Sequence, residues 1–181
     1  MVWSGIFQGR KALPLLLFAL SQVSSPERFQ LIVLGDGSEA QNWKALSTKL
    51  HLNNIVTWIG KIPHRDALNI MQQCDALIFT SLQEATSTVV LEALESGLPV
   101  VCHDMCGFGT VITKECGIKI PVVSPKQSIK QFSLALEQLS NPAILAIMKE
   151  GARKKASQLT WNKKAQKMVQ YYYQTMQTFK K

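Results

Sequence analysis

The sequence predicts a doubly wound, mostly parallel six-stranded α/β sheet with extra helices at its C-terminal end. Three observations predict it. Short apolar runs alternate with helical patterns through about six rounds, as parallel strands covered on both faces do. The glycines and polar residues gather just after those runs, at Gly5 to Lys11, Gly35 to Ser38, Gly60 to Pro63, Ser81 to Thr88 and His103 to Thr110. That is the edge where such sheets hold ligands. The length of 181 residues, 46% hydrophobic and 18% charged, suits one globular domain with a full core. We read that domain as a core over 1–122 followed by terminal helices over 125–181.

Each element has a local reason. Met1 to Gly5 is a short first strand. Arg10 to Val23 reads as a helix with an apolar stripe of Leu13, Leu16, Leu17 and Leu20, stopped by Ser24-Ser25-Pro26. Phe29 to Leu34 is a buried strand closed by the turn Gly35-Asp36-Gly37, where Asp36 supplies turn chemistry. Ser38 is placed to cap a helix carrying Glu39, Trp43, Leu46 and Leu50. Ile55 to Ile59 is a strand, and Pro63 opens a helix running to about Cys74. Ala76 to Thr80 and Leu98 to Cys102 are strands either side of a short helix. Asp104 to Thr113 reads as a loop, and Gly117 to Val122 as a last strand. Gln127 to Leu139, Ala143 to Ser157 and Trp161 to Phe179 are the closing helices.

The net charge of +8 is uneven. From Ala143 onward nine Lys or Arg face one acid, Glu150, whereas the earlier residues balance eleven against eleven. The basicity therefore belongs to the last helices. Such helices stay solvated or dock on a partner or an anionic membrane. Nucleic acid is the least favoured partner despite the aromatic interleaving of Trp161, Tyr171, Tyr172 and Tyr173. No apolar stretch reaches the roughly 20 residues needed to span a membrane. Ala12 to Leu20, behind Arg10-Lys11, suits a first core helix better than a signal peptide. Cys74, Cys102, Cys106 and Cys116 form no disulfide framework, so we expect reduced thiols and a cytoplasmic protein. Cys102, His103, Cys106 and Cys116 match no metal-ligand spacing, and no metal site is expected.

The stretch from Glu84 to Val100 carries the chemistry. It forms the middle of a βαβ unit. Thr86, Ser87 and Thr88 stand where its helix begins, and with Val89 they offer N–H groups and hydroxyls to an anion. Simple N-capping explains the hydroxyls as well. Glu84 precedes the helix, and Glu92 lies two turns in, set among Val89, Val90, Leu91, Ala93 and Leu94. An acid in apolar company needs a reason. A carboxylate grips two vicinal hydroxyls, as on a ribose. Arg10 and Lys11, on a loop with Gly5 and Gly9, suit a diphosphate. His64 and His103 read as surface or loop histidines, and no general base is assigned.

Together these residues resemble the C-terminal, nucleotide-sugar-binding domain of the group 1 (family 4) retaining glycosyltransferases of GT-B fold. The match is Glu84, seven residues, Glu92, Ala93 and then Gly97-Leu98-Pro99-Val100, supported by Gly5 with Lys11, Gly35-Asp36-Gly37, Trp58 to Ile62 and Asp75 to Ser81. The resemblance implies a Rossmann-like sheet forming one half of a GT-B fold. It implies a nucleoside-diphosphate sugar as donor, with no resident cofactor and no essential metal. Glu92 would hold ribose hydroxyls, and Glu84 those of the donor sugar. Lys11 and Arg10 would neutralise the diphosphate, with backbone N–H groups near Thr88 and Val89. Gly60, Lys61 and Ile62 would meet the base.

The sequence departs from the family pattern in two places. Ile6 stands where the family has arginine, so Arg10 must substitute. Ala85-Thr86-Ser87 replaces Gly-Phe-Gly, which leaves Cys106-Gly107-Phe108-Gly109 as the source of loop flexibility. The acceptor-binding N-terminal domain of such enzymes lies outside this stretch. We therefore expect donor binding without transfer by the chain alone, at the cytoplasm or the inner face of the membrane. The alternative is a non-catalytic nucleotide-binding or regulatory module.

Overall fold

The computed structural model describes residues 1–85 and 87–178. Six strands, β1 (Val2–Ser4), β2 (Leu31–Leu34), β3 (Val56–Gly60), β4 (Leu77–Phe79), β5 (Val100–His103) and β6 (Gly117–Ile120), form one sheet in the order β3-β2-β1-β4-β5-β6. Every pairing is parallel. The helices are α1 (Leu13–Leu20), α2 (Ala40–Lys49), α3 (His64–Gln72), α4 (Thr88–Glu95), α5 (Cys106–Val111), α6 (Pro125–Leu139), α7 (Pro142–Gln158) and α8 (Trp161–Thr178). The strand order reverses between β1 and β4, so their C-terminal ends open a crevice.

The strands bury both faces because side chains alternate. Trp3, Leu31, Val33, Ile78 and Val101 point toward α1, α2 and α6. Val2, Leu34, Leu77, Phe79, Val100 and Cys102 point the other way, toward α3, α4, α5 and the Ala152 side of α7. Leu13, Leu16, Leu17 and Leu20 are fully buried, as the stripe predicts. Gly35 lets two ligand-edge loops touch. Its φ is +125°, and a Cβ there would lie 1.9 Å from the Gly5 carbonyl oxygen.

Three local expectations are corrected. The first helix does not start at Arg10. Gly9 to Lys11 form a 3-10 turn, Ala12 adopts a left-handed conformation (φ 48°), and α1 begins at Leu13 with Pro14 in its first turn. Proline fits only the first turn of a helix, so the chain breaks ahead of it. Ser38 does not cap α2; its hydroxyl points to the Phe7 carbonyl at 3.4 Å, and Glu39 takes the cap position. The expected loop after β5 contains α5. Phe108 is buried there, with its ring edge-on to Phe79 at 5.2 Å, and this packing outweighs the low helix propensity of two glycines. Cys106 to Gly109 are therefore not a flexible substitute for the missing Gly-Phe-Gly.

The last helix stands apart. α8 buries none of its described residues, and Trp161 is 85% exposed. Among the described residues no helix is long and apolar enough to cross a membrane.

Candidate functional site

The β1–α1 turn places two cations at the crevice. The Lys11 carbonyl accepts a hydrogen bond from Thr80 Oγ1 at 2.7 Å, and Trp3 Nε1 donates to the same hydroxyl at 2.9 Å. β4 thus fixes the backbone of Lys11. The Lys11 side chain is buried, with Nζ 5.5 Å from the Phe79 ring centroid and bonded to Glu84 Oε1. Ser81 Oγ donates to the same carboxylate oxygen at 2.6 Å. Arg10 Nη1 lies 3.5 Å from it and donates to the Gln83 carbonyl at 2.9 Å. Arg10 therefore sits over the Glu84 carboxylate beside Lys11. Burial alone would raise the Glu84 pKa. Hydrogen bonds from Lys11 and Ser81, and the charges of Lys11 and Arg10, outweigh it and hold the carboxyl below its ordinary value.

Beside this cluster, a cavity of about 300 Å³ opens at the ends of β1, β2 and β3. Gly5, Ile6, Asp36, Lys61 and Ile62 line it, with Ala67 of α3. Gly60 does not. Its carbonyl accepts from the Gly35 N–H at 2.9 Å and so shapes the loop behind the cavity. The sequence reading missed Ile6 and Asp36 as lining residues because it took one for a departure and the other for turn chemistry. Asp36 does both jobs, since its Oδ1 accepts from the Gly37 N–H at 2.8 Å.

The third part is α4. Ser87 takes the N-cap position without a side-chain capping bond, and its Oγ is buried with no partner among the described residues. Thr88 and Val89 follow in the first turn, where N–H groups lack intrahelical acceptors. Thr86, expected beside them, lies outside the described residues. Val90, Ala93 and Leu94 form the buried face. Glu92 is not buried among them. Its side chain is 24% exposed and turns toward α3, where Oε1 meets His64 Nε2 at 3.1 Å. Val90 and Leu94, two residues to either side of Glu92, lie about 160° round the helix at 3.6 residues per turn and take the buried face.

The structure thus brings Lys11, Arg10 and Glu84 into contact, gathers Gly5, Lys61 and Ile62 around one cavity, and sets Glu92 against His64. Ser81 is the contact partner that sequence reasoning missed; a serine after an apolar run carries no spacing signal. His103 is not a surface histidine. It is fully buried at the end of β5, with Nε2 3.1 Å from Ser128 Oγ and Nδ1 unpartnered among the described residues. Burial pushes its pKa down, offset in part by the nearby backbone of Ser81 and Thr80. Cys102 is buried likewise, its thiol pushed up to about 12 chiefly by burial.

Known proteins resemble this chain in sequence and in fold. Over 115 residues the chain is 30% identical to the lipopolysaccharide glucosyltransferase WaaG of Escherichia coli, covering 62% of this chain and 30% of that protein. It is 25% identical over 121 residues to the phosphatidylinositol N-acetylglucosaminyltransferase GPI3 subunit of Saccharomyces cerevisiae, covering 67% and 27% respectively. The crystal structure of WaaG superimposes with a TM-score of 0.75 at 27% identity, over 86% of this chain and 42% of that one. The pneumococcal O-GlcNAc transferase GtfA, solved with UDP and GlcNAc, shares the fold with a TM-score of 0.80 at 18% identity, over 98% of this chain and 35% of its own. The chain therefore spans roughly a quarter to under half the length of these relatives. The family described as glycosyl transferases group 1 matches residues 1–155. The chain belongs to the group 1 glycosyl transferases.

Proposed function

We propose that this chain is the donor-binding half of a retaining glycosyltransferase that moves a sugar from a nucleoside diphosphate to an acceptor. The observation that carries this reading is the buried Lys11 ammonium, held with Arg10 and Glu84 at the crevice beside the start of α4. A departing diphosphate develops charge that cations and a helix N-terminus stabilise. Lys11 and Arg10 meet the phosphates, with the N–H groups of Thr88 and Val89 and the Ser87 hydroxyl; Thr86 belongs to the same group in sequence. Glu84 turns to sugar hydroxyls once the diphosphate takes over part of its cations. Glu92 holds the ribose. The cavity at Gly5, Lys61 and Ile62, backed by Gly60, takes the base.

The acceptor side is supplied by a further domain, on the same polypeptide or another. The share of each relative that this chain covers supports that, as does the unburied α8. Alone, the chain binds donor and transfers little or none. The basic α7 and α8 favour peripheral contact with an anionic membrane on the cytoplasmic side over nucleic acid. A second reading, a non-catalytic nucleotide-binding or interaction module, is favoured by Ala85-Thr86-Ser87 in place of glycines. Restoring an acceptor domain and assaying transfer separates the two, because the module stays inactive.

Calorimetry with UDP, GDP and ADP sugars tests donor binding directly. Glu92→Gln weakens the preferred nucleotide by about 1.5–3 kcal/mol, the scale of a hydrogen bond to a charged group. Unchanged affinity defeats the ribose assignment.

A further inference from the structure

We infer that His64 is a positioning residue that sets the Glu92 carboxylate for the two vicinal hydroxyls of a nucleotide ribose. The inference rests on the reading that Glu92 holds the ribose. The observation is the 3.1 Å contact between His64 Nε2 and Glu92 Oε1, made between the first turn of α3 and the second turn of α4. A glutamate has three side-chain torsions, and at 24% exposure packing alone does not choose among its rotamers. A grip on two adjacent hydroxyls needs one of them.

His64 is built to make that choice. It is the first residue of α3, directly after Pro63, whose φ of −56° is fixed by its ring. The imidazole has only two torsions of its own. Facing a carboxylate, Nε2 must carry the proton, and it does so in one neutral tautomer and in the cation alike. The bond takes one acceptor site of Oε1 and leaves the other, with both sites of Oε2, to the two hydroxyls. The position is right as well, because α3 also contributes Ala67, one turn on, to the cavity proposed for the base. At 69% exposure the ring is not a packing element, so its replacement leaves the fold intact.

The test is calorimetry with whichever of UDP, GDP and ADP binds tightest and with its 2′,3′-dideoxy analogue. The proteins are the wild type, His64→Ala, His64→Gln, Glu92→Gln and the double variant His64→Ala/Glu92→Gln. His64→Ala should weaken the ribonucleotide about three- to tenfold, the scale of one hydrogen bond. It should leave the dideoxy analogue unchanged. His64→Gln, which keeps a donor, should recover most of the loss. His64→Ala should add nothing on a Glu92→Gln background. Equal weakening of both nucleotides, full additivity or wild-type affinity in His64→Ala overturns the role of His64. If Glu92→Gln itself leaves affinity unchanged, or no nucleotide binds, the ribose reading falls and this inference with it. If Glu92→Gln weakens binding and His64→Ala does not, the ribose reading stands and only the role of His64 falls.

Discussion

Lys11 is buried more deeply than lysines usually are, and Glu84 is what compensates the burial of its ammonium group. The pairing makes stability depend on pH in a definite direction. The Glu84 pKa is depressed in the folded state, so its contribution is complete above the ordinary carboxyl value of 4.5 and is lost as pH falls through the folded value. Glu84→Gln should therefore lower the urea midpoint at about pH 6, and the gap to wild type should close as pH drops below 4.5. A gap that stays constant with pH would contradict the pairing. His103 adds an earlier slope of the same sign, because its depressed pKa costs stability as pH falls below 6.5. For the ligand, Lys11→Met should weaken a nucleoside diphosphate but not the nucleoside; equal loss for both argues against a phosphate role. Arg10, Lys11 and Glu84 stood out in the sequence because charged types on loops after apolar strands are few, but their pairing with one another did not. Ser81 and His103 were not, because their roles depend on which strands become neighbours.

Among the elements, α4 and α7 are the informative pair. α7 carries Gly151 against the loop before β6, where a Cβ would lie 1.8 Å from the Glu115 carbonyl oxygen. Backbone cannot yield as a flexible side chain does. Gly151→Ala should cost about 1–3 kcal/mol through overpacking, although alanine favours helices, and thermal unfolding checks it. A stabilised variant would show that α7 stands off β6. The sequence marked strands and long helices well, because alternation and apolar stripes encode burial locally. It failed at the breaks. Ala12 and α5 are decided by Pro14 and by the contact of Phe108 with Phe79, a pairing across 29 residues that no local pattern announces.

For the molecule as a whole, the sheet and its two helical layers account for the core, and α8 lies outside both. Removing residues 161–181 should shift the unfolding midpoint by no more than about 2 °C, since no described residue of that helix is buried. A larger drop would mean that α8 supports the sheet. The fold class was readable because six rounds of alternation admit few other arrangements. The setting of α8 was not, because a basic helix that stays solvated and one that docks read alike, and Met168, Tyr172 and Met176 lie exposed on it. The exposure of Trp161 has an optical consequence. Trp3 and Trp43 are buried and Trp58 is half-buried, so the long-wavelength, readily quenched part of the tryptophan emission comes from α8. Whatever covers that helix, whether protein or lipid, should shift this light toward the blue while the core tryptophans stay silent. The chain carries its own gauge of docking.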